Sequence, residues 1–431
     1  MLLLGSGRRN FCVAVVFLTA SFAPTQVAPK PAHVRVSVAS ATHFDLVDNR
    51  IFVSVRLNGR GPFRFILDSG SDGHLIRPEV AKQLGLKPEG NEQGKGNGAS
   101  SEEGWQTHIA SVQLGSFTLL SQEAAVLPFS QALNLFGTAR VDGILGLPAF
   151  QQQVLKIDYD QRRLTFTPFD KFIYTGSGKV LTFEQNSDDI PAVFANLDGI
   201  PGNFGLDTGA RASLLLFPPF VEKNLLAEKY SSRVEGVTGW GFGGPVKTKL
   251  ARARKLDLGG FSISNPITRL MTQPSGTSSS AEEDGLIGED VLKQFNVIFD
   301  YKHHQIILEP NRRFGHQDSY DRTGMWVAQD GNDFPVVDVI ANGPAAEAGI
   351  APGDKITAIN GVPAARLALP ELRERWSEEP PGTKLHLTVI EKAGADPVVK
   401  DPPGDPPVTQ KTSPLKKNAG KEIVLVLRDL V

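Results

Sequence analysis

The chain has 431 residues, which is enough for roughly two to four domains of ordinary size. Apolar residues make up 40% of it and charged residues 21%, a composition that supports packed cores and excludes a wholly disordered protein. Because 45 basic side chains nearly balance 47 acidic ones, the net charge of −2 gives no electrostatic footprint for nucleic acid. A single cysteine excludes a disulfide framework and any metal site built from cysteines.

The N-terminus has the layout of an export signal. Arg8 and Arg9 precede an apolar run over residues 11–20, and small residues follow that run. Since the run is too short to cross a bilayer, we expect residues 1–23 to be a cleaved signal peptide and residues 24–42 a linker. This interpretation predicts a periplasmic or extracellular protein with no membrane span. A buried N-terminal helix is the alternative.

Four sequence blocks occur twice, in the same order and at offsets of 139 to 144 residues. The pairs are Phe65–Ser71 with Phe204–Ala210, Leu114–Phe117 with Leu258–Phe261, Asp142–Gly146 with Asp284–Gly288, and Leu155–Tyr159 with Val297–Tyr301. This period is far too long for a solenoid and predicts a duplicated domain. We place the first copy at residues 43–170 and the second at residues 171–316.

Within the first copy the pattern is that of β-structure. Residues 51–57 alternate between apolar and polar side chains, an Asn-Gly turn follows, and residues 63–67 predict a second strand. Asp68 comes directly after that strand, as Asp207 does in the second copy. Residues 78–84 predict a short helix that ends at Gly85. We therefore expect a mainly β protein with two lobes, each carrying one aspartate at a strand end.

The two aspartates begin matching loops, Asp-Ser-Gly at Asp68 and Asp-Thr-Gly at Asp207. Hydrolysis of an amide by water needs a base for the water and an acid for the carbonyl oxygen. Two neighbouring carboxyl groups can serve as both if they share one proton, because like charges a few ångströms apart do not both ionise. The pair is therefore a candidate catalytic dyad that needs no metal and no cofactor.

The residues around the aspartates suit such a pair. Gly70 and Gly209 allow a tight turn and a close approach of the two loops. Ser69 and Thr208 carry hydroxyl groups that could link the loops, and the hydroxyl of Ser71 could donate to Asp68. We expect these five residues to support the dyad.

The two copies resemble the lobes of pepsin-type aspartic proteases, with some retropepsin-like character, over about residues 43–310. The Asp-Ser-Gly and Asp-Thr-Gly loops match, and so do the elements at residues 144–146 and 286–288 that follow them. The resemblance implies bilobal double β-barrel or sheet lobes with a cleft for an extended peptide between them. It also implies an aspartic endopeptidase whose catalytic residues are Asp68 and Asp207.

The sequence also departs from that family. Gly205 stands where an apolar residue is usual, and Arg211 follows the second loop in place of a small or polar residue. The first-lobe flap, residues 94–100, lacks the tyrosine of pepsin-like flaps, whereas its counterpart at residues 239–244 contains two aromatic side chains. We therefore expect a cleft closed mainly from the second lobe. The expected substrate-binding residues are Gly96, Asn97, Gly98, Trp240 and Phe242.

Residues 317–431 resemble bacterial PDZ domains. The resemblance rests on a strand at residues 334–340, a small helix that begins at Pro344, and a further strand that ends in an Asn-Gly turn. Such domains bind an extended peptide, often a C-terminus, by adding it as a strand beside a helix. The nearest match to their carboxylate loop is Gly324, Met325, Trp326 and Val327. A Pro-rich insertion at residues 393–418 is expected between the last two strands.

Other interpretations remain open at this point. The aspartates could simply begin turns, as Asp-Gly loops often do. A catalytically degenerate protein could bind peptides in the cleft and in the PDZ groove without cutting them, and an active enzyme could process one narrow target. The PDZ domain could be a structural appendage without a ligand, or it could recruit protein substrates or regulate the cleft.

Overall fold

The computed structural model describes residues 39–129, 140–186, 190–241, 243–274, 276–279, 282–392 and 420–431. The predicted signal peptide, most of the linker, the Pro-rich insertion and Phe242 lie outside these ranges. Within them, no helix has the length and apolar character needed to cross a membrane.

The N-terminal lobe contains ten strands and two helices among these residues. They are β1 (Ser40–Val47), β2 (Arg50–Leu57), β3 (Arg60–Leu67), β4 (His74–Ile76), α1 (Pro78–Leu84), β5 (Gly90–Gly94), β6 (Glu102–Leu114), β7 (Phe117–Val126), β8 (Gly143–Leu145), α2 (Pro148–Gln151), β9 (Val154–Asp158) and β10 (Arg163–Thr167).

The C-terminal lobe repeats much of this arrangement. Its elements are β11 (Lys179–Gln185), β12 (Pro191–Leu197), β13 (Ile200–Leu206), β14 (Leu214–Leu216), α3 (Pro218–Lys223), α4 (Leu226–Lys229), β15 (Val234–Gly241), β16 (Gly244–Arg252), β17 (Lys255–Leu258), β18 (Phe261–Ser264), β19 (Ile267–Leu270), a 3₁₀ turn (Gly276–Ser279), β20 (Gly285–Ile287), α5 (Glu289–Leu292), β21 (Phe295–Asp300), a 3₁₀ turn (Tyr301–His303) and β22 (Gln305–Pro310).

A C-terminal domain follows. It consists of β23 (Met325–Val327), β24 (Phe334–Val339), α6 (Pro344–Glu347), β25 (Lys355–Ile359), β26 (Val362–Pro363), a 3₁₀ turn (Ala364–Arg366), α7 (Leu369–Glu378), β27 (Lys384–Ile390) and β28 (Lys421–Val426).

The first hairpin shows how local sequence builds the lobe. Asn58 and Gly59 both have positive φ, 50° and 74°, which the two-residue turn between β2 and β3 requires and which Asn-Gly supplies readily. β3 then runs back beside β2 and ends at Leu67, so Asp68 lies at the end of a buried strand. The predicted helix is α1, and it ends at Gly85 with φ of 71°.

Equivalent strands of the two lobes pair in the same way. β3 lies parallel to β8, and β13 lies parallel to β20. The N–H of Asp68 donates to the carbonyl of Leu145 at 2.9 Å, and the N–H of Asp207 donates to that of Ile287 at 3.0 Å. The duplicated blocks therefore form equivalent structures, and each aspartate is held at the same point of its lobe.

An antiparallel sheet joins the two lobes in the strand order β1–β10–β9–β21–β22–β11. At its centre Lys156 pairs with Ile298, and these are equivalent positions of the two copies. An approximate twofold axis thus passes between them. Apolar residues of both lobes form one continuous core cluster. The expectation of a mainly β, bilobal fold is confirmed.

The C-terminal domain has its own core and packs on the C-terminal lobe. Its sheet has the order β23–β24–β25–β27–β28, with β26 beside β25, and α7 covers the core through Trp376. The N–H of Val237 on β15 donates to Asp338 on β24 at 2.6 Å, and Trp326 on β23 packs against Val237. The strand, small helix and Asn-Gly turn expected at Asn360 are all present.

Candidate active site

The structure brings the two predicted aspartates together at the interface of the lobes. The loops approach so closely that a Cβ atom on Gly70 would lie 2.6 Å from the Cγ of Asp207, and one on Gly209 would overlap the Cγ of Asp68. Only glycine fits at either position. Both carboxyl groups are therefore fixed against the backbone of the opposite lobe.

Reciprocal hydrogen bonds between Ser69 and Thr208 hold the loops in register. The N–H of Ser69 donates to the Thr208 hydroxyl at 3.0 Å, and the N–H of Thr208 donates to the Ser69 hydroxyl at 3.1 Å. The Ser69 hydroxyl donates to the carbonyl of Leu206 at 2.7 Å, and the Thr208 hydroxyl to that of Leu67 at 2.9 Å. Both side chains are fully buried. Four bonds that cross between the lobes leave the loops little freedom to separate.

One supporting residue acts differently from the expectation. The hydroxyl of Ser71 donates to the carbonyl of Gly73 at 3.0 Å, two residues along its own loop, and not to Asp68. A short serine side chain in such a turn readily bonds its own backbone. Ser71 thus shapes the first loop rather than contacting the dyad.

The two aspartates differ in their hydrogen bonds. Asp68 accepts one backbone bond, from Gly70 at 2.8 Å, whereas Asp207 accepts two, from Gly209 at 2.8 Å and Ala210 at 2.9 Å. Burial and then the charge of Asp207 raise the pKa of Asp68 well above its usual value. Burial also raises the pKa of Asp207, but its hydrogen bond with Asp68 and the two N–H donors oppose that rise. The backbone hydrogen bonds therefore favour the charged form more strongly at Asp207 than at Asp68.

A buried arginine that the sequence did not point to lies behind the dyad. The Nε of Arg50 donates to the carbonyl of Gly209 at 2.9 Å, and its Nη1 lies 3.2 Å from Asp48 Oδ2. The positive charge of Arg50 lowers the pKa of both Asp68 and Asp207. In the sequence, the feature that sets Arg50 apart is a difference between the two copies, since the aligned position of the second copy carries Ile190.

Asp48 connects three parts of the molecule. Its carboxylate pairs with Arg50 of its own lobe, with Arg211 of the C-terminal lobe at 2.8 Å, and with Arg373 of helix α7 at 3.0 Å. The side chain of Asp48 is only 2% exposed. Arg211, unusual after the second loop, thus has a structural partner, and the guanidinium groups of Arg211 and Arg373 both lie over the ring of Trp326.

A cavity of about 840 Å³ lies between the lobes and contains the dyad. A hairpin of each lobe and the 3₁₀ turn Gly276–Ser279 of the second lobe meet over it. The N–H of Ser100 donates to the carbonyl of Gly243 at 3.0 Å, and the N–H of Thr277 donates to that of Gly96 at 3.0 Å. The Thr277 hydroxyl also donates to Asn97 Oδ1 at 2.9 Å.

This roof corrects the expectation of a cleft closed mainly from the second lobe. Because Gly241 and Gly243 have no Cβ atom, the backbone of the second-lobe hairpin comes into direct contact with that of residues 97–100, and both lobes share the closure. Of the expected substrate-binding residues, Gly96, Asn97 and Trp240 line the cavity, whereas Gly98 lies against Gly241. Trp240 also packs against the small cluster formed by Val237 and by Trp326 of the C-terminal domain. Phe242 is outside the described residues.

Of the expected peptide-binding residues of the C-terminal domain, Met325 and Val327 belong to the core of that domain, whereas Trp326 packs against the C-terminal lobe. Gly324 has φ of 69°, and Met325, Trp326 and Val327 form the short, buried strand β23. Arg373 of α7 donates through Nη2 to the carbonyl of Val327 at 3.0 Å, which links the strand to the helix beside it. A cavity of about 140 Å³ between β23 and α7 is lined by residues of both lobes as well.

Over the described parts of the chain, no three histidine, cysteine, aspartate or glutamate side chains are grouped so that they could hold a metal ion.

Comparisons with known proteins agree with the two parts of the structure. Residues 53–149 match the family model of an aspartyl protease, and residues 336–391 match that of a PDZ domain. No curated protein matches the sequence. Among solved structures, the aspartic proteinase from Irpex lacteus is similar at 14% identity with a TM-score of 0.42, over 64% of this chain and 98% of that chain.

The chain therefore contains an aspartyl protease domain at residues 53–149 and a PDZ domain at residues 336–391. The family match covers only the first copy of the repeat. The second copy is connected to it by the duplicated blocks and by the equivalent strand pairings of the two lobes.

Proposed function

We propose that the protein is an exported aspartic endopeptidase that hydrolyses peptides or proteins with water activated by Asp68 and Asp207. The observation that carries this proposal is the pair of buried carboxyl groups that the Ser69–Thr208 bonds hold together, of which Asp207 accepts the larger number of backbone hydrogen bonds. Export rests on the sequence of residues 1–23, and N-terminal sequencing of the protein from its natural host checks it. A start at Met1 would contradict export.

The dyad suggests a sequence of proton transfers. The carboxylate of Asp207 takes a proton from water, the water oxygen bonds to the scissile carbonyl carbon, and Asp68 gives its proton to the carbonyl oxygen. The resulting diol then returns a hydroxyl proton to Asp68, while Asp207 protonates the amide nitrogen. The C–N bond breaks, and a carboxylic acid and an amine are released with the dyad restored.

The PDZ domain is proposed to recruit protein substrates or to regulate the cleft. Regulation is favoured by the position of Arg373, which contacts Val327 in the PDZ groove and also pairs with Asp48. Asp48 in turn pairs with Arg211, three residues after the second catalytic-loop threonine. A peptide that displaced Arg373 from the groove would therefore act on a cluster that touches the catalytic loop.

The experiment that tests this function is digestion of a mixed peptide library by the folded full chain between pH 3 and pH 8. A peptide mimic with a hydroxyl-bearing carbon in place of the scissile amide should block cleavage, because it occupies the position of the diol. The same peptide with a methylene at that carbon is the matched control and should inhibit far more weakly. A folded protein that cleaves nothing at any pH would overturn the proposal in favour of a peptide-binding scaffold.

Replacing Arg50 with Gln is expected to move the pH profile of kcat/KM upward by about one unit. The guanidinium charge lowers the pKa of both dyad carboxyls, so its removal lets both rise and shifts both limbs of the profile in the same direction. The profile is measured with one peptide, with the enzyme concentration fixed by titration with the mimic. Arg50→Lys keeps the charge and is the control. An unshifted profile in Arg50→Gln would show that Arg50 does not set the dyad's protonation.

A further inference from the structure

The approximate twofold symmetry of the lobes allows the two walls of the cleft to be compared residue by residue. Asp142 and Asp284 occupy equivalent positions, because each accepts a backbone N–H at 2.8 Å, from Arg64 and from Asn203 respectively. The residues just before them, Val141 and Glu283, are therefore equivalent as well.

Two further pairs follow from strand register. Ile66 and Gly205 each lie two residues before their aspartate, Ile66 opposite Phe52 and Gly205 opposite Ala192. The N-terminal wall thus carries Phe52, Ile66 and Val141 where the C-terminal wall carries Ala192, Gly205 and Glu283.

The N-terminal wall is apolar. Phe52, Ile66 and Val141 form a small buried cluster, with Ile144 packed against it. Ile66, Val141 and Ile144 line the cavity that contains the dyad. A substrate side chain on this side of the cleft meets hydrocarbon, and apolar contact is the interaction available to it.

The C-terminal wall is acidic at the equivalent place. The carboxylate of Glu283 occupies the space above Gly205, since a Cβ atom there would lie 3.0 Å from both of its oxygens. Glu283 is 7% exposed, lines the cavity and accepts a hydrogen bond from Asn186 at 3.0 Å. Its exposed neighbour Glu282 lines the cavity too. The side chain that replaces the apolar trio is thus a positioned carboxylate.

The arginines that line the same cavity are engaged by other groups. Arg50 and Arg211 pair with Asp48, and Arg269 lies over the ring of Tyr320. A partly desolvated carboxylate in the wall of the cleft favours a substrate side chain that is positively charged and long enough to contact it. Lys and Arg are the side chains that meet both conditions.

We propose that the cleft selects peptides with an apolar side chain on one side of the scissile bond and a basic side chain on the other, and that Glu283 recognises the basic one. This inference rests on the proposed endopeptidase function and adds its substrate class. It also explains Gly205, the departure noted just before the second loop: an apolar side chain there would collide with Glu283 and with Leu286.

The test is a set of matched peptides that differ at one position, which carries lysine or its uncharged isostere norleucine. The varied position is moved through the four residues on each side of the cleaved bond. At one of them kcat/KM should favour lysine by about tenfold. Glu283→Gln should reduce that ratio to near one, and Glu283→Val, which installs the residue of the N-terminal wall, should favour norleucine.

Glu123→Gln is the matched control, because Glu123 lines the same cavity from the N-terminal lobe, and it should keep the lysine preference of the wild type. The wild-type ratio needs no variant, so the inference stays testable even if a Glu283 variant folds poorly. Cleavage without preference for lysine over norleucine at any position overturns the inference and leaves the proteolytic function standing. A folded chain that cleaves no peptide overturns both.

Discussion

Asp207→Asn and Asp68→Asn are each expected to lower kcat/KM by on the order of 10³-fold or more. Asparagine has nearly the same shape as aspartate, so it fits beside Gly70 and Gly209, whose loops leave no spare room. It cannot take a proton from water, which is the role proposed for Asp207, nor pass one to the carbonyl oxygen, which is the role proposed for Asp68. Cleavage of one good library peptide by the full chain measures the loss.

The fold of both variants should survive, and the pKa shifts give the sign of the stability change. Folding raises the pKa of both aspartates above the usual 3.8. Their favourable contribution is therefore complete below that value and is lost as the pH rises through the raised pKa values. An asparagine does not ionise, so the variants should unfold at a temperature no lower than the wild type at neutral pH.

Asp45→Asn is the control for both cleavage and melting temperature. It makes the same chemical change, but at an exposed side chain of the first lobe. It should neither reduce cleavage nor change the melting temperature appreciably. Full activity in either dyad variant would contradict the mechanism. A variant that is inactive but also unfolded would show that the carboxyl pair holds the lobes together, contrary to the stability argument.

The sequence predicted the part of the site that the duplication repeats. The blocks around Asp68 and Asp207 have local signatures, and glycine at fixed offsets reflects a backbone approach that no other residue tolerates. The hairpin turn at Asn58 follows from local chemistry in the same way. Such features are predictable because the cause lies within a few residues of the effect.

The rest of the site depends on contacts between distant segments. Arg373 lies 325 residues from Asp48 along the chain, and nothing in the local pattern of α7 distinguishes it from a surface arginine of an amphipathic helix. The sequence shows that Gly205 departs from the family pattern. It does not show that Glu283, which precedes β20, fills the space beside Gly205, and this became evident only when the two lobes were compared. The shared roof over the cleft was missed because the sequence does not show which hairpin tips meet.

Asp48→Asn is expected to reduce the free energy of unfolding by about 3–5 kcal/mol. The carboxylate is the common partner of three guanidinium groups, from both lobes and from α7, in a nearly fully buried position. Removing its charge leaves three largely buried positive charges near one another without the carboxylate that pairs with all of them, which is far worse than losing one exposed ion pair. The measurement is urea unfolding followed by tryptophan fluorescence, since Trp326 lies under two of these arginines.

The pH dependence of the loss in unfolding free energy distinguishes the effect of the Asp48 charge from an effect on packing. Burial raises the pKa of Asp48, but Arg211, Arg373 and Arg50 together outweigh it and hold the pKa below the usual 3.8. A depressed pKa stabilises the folded state above the unfolded value, and the contribution disappears as the pH falls through the folded one. The difference between wild type and Asp48→Asn should therefore be full at pH 7 and shrink below about pH 3.8.

Asp45→Asn again serves as the control and should cost less than about 0.5 kcal/mol, because its carboxylate is 75% exposed and its contact with Arg64 is 3.5 Å long. Equal effects of the two substitutions would contradict the role given to Asp48. A loss that appears as an early, separate unfolding step, with the later transition unchanged, would show that Asp48 acts mainly by holding the PDZ domain on the lobes. In that case Asp48 would connect the PDZ domain, through Arg373, to the loop that begins at Asp207, through Arg211.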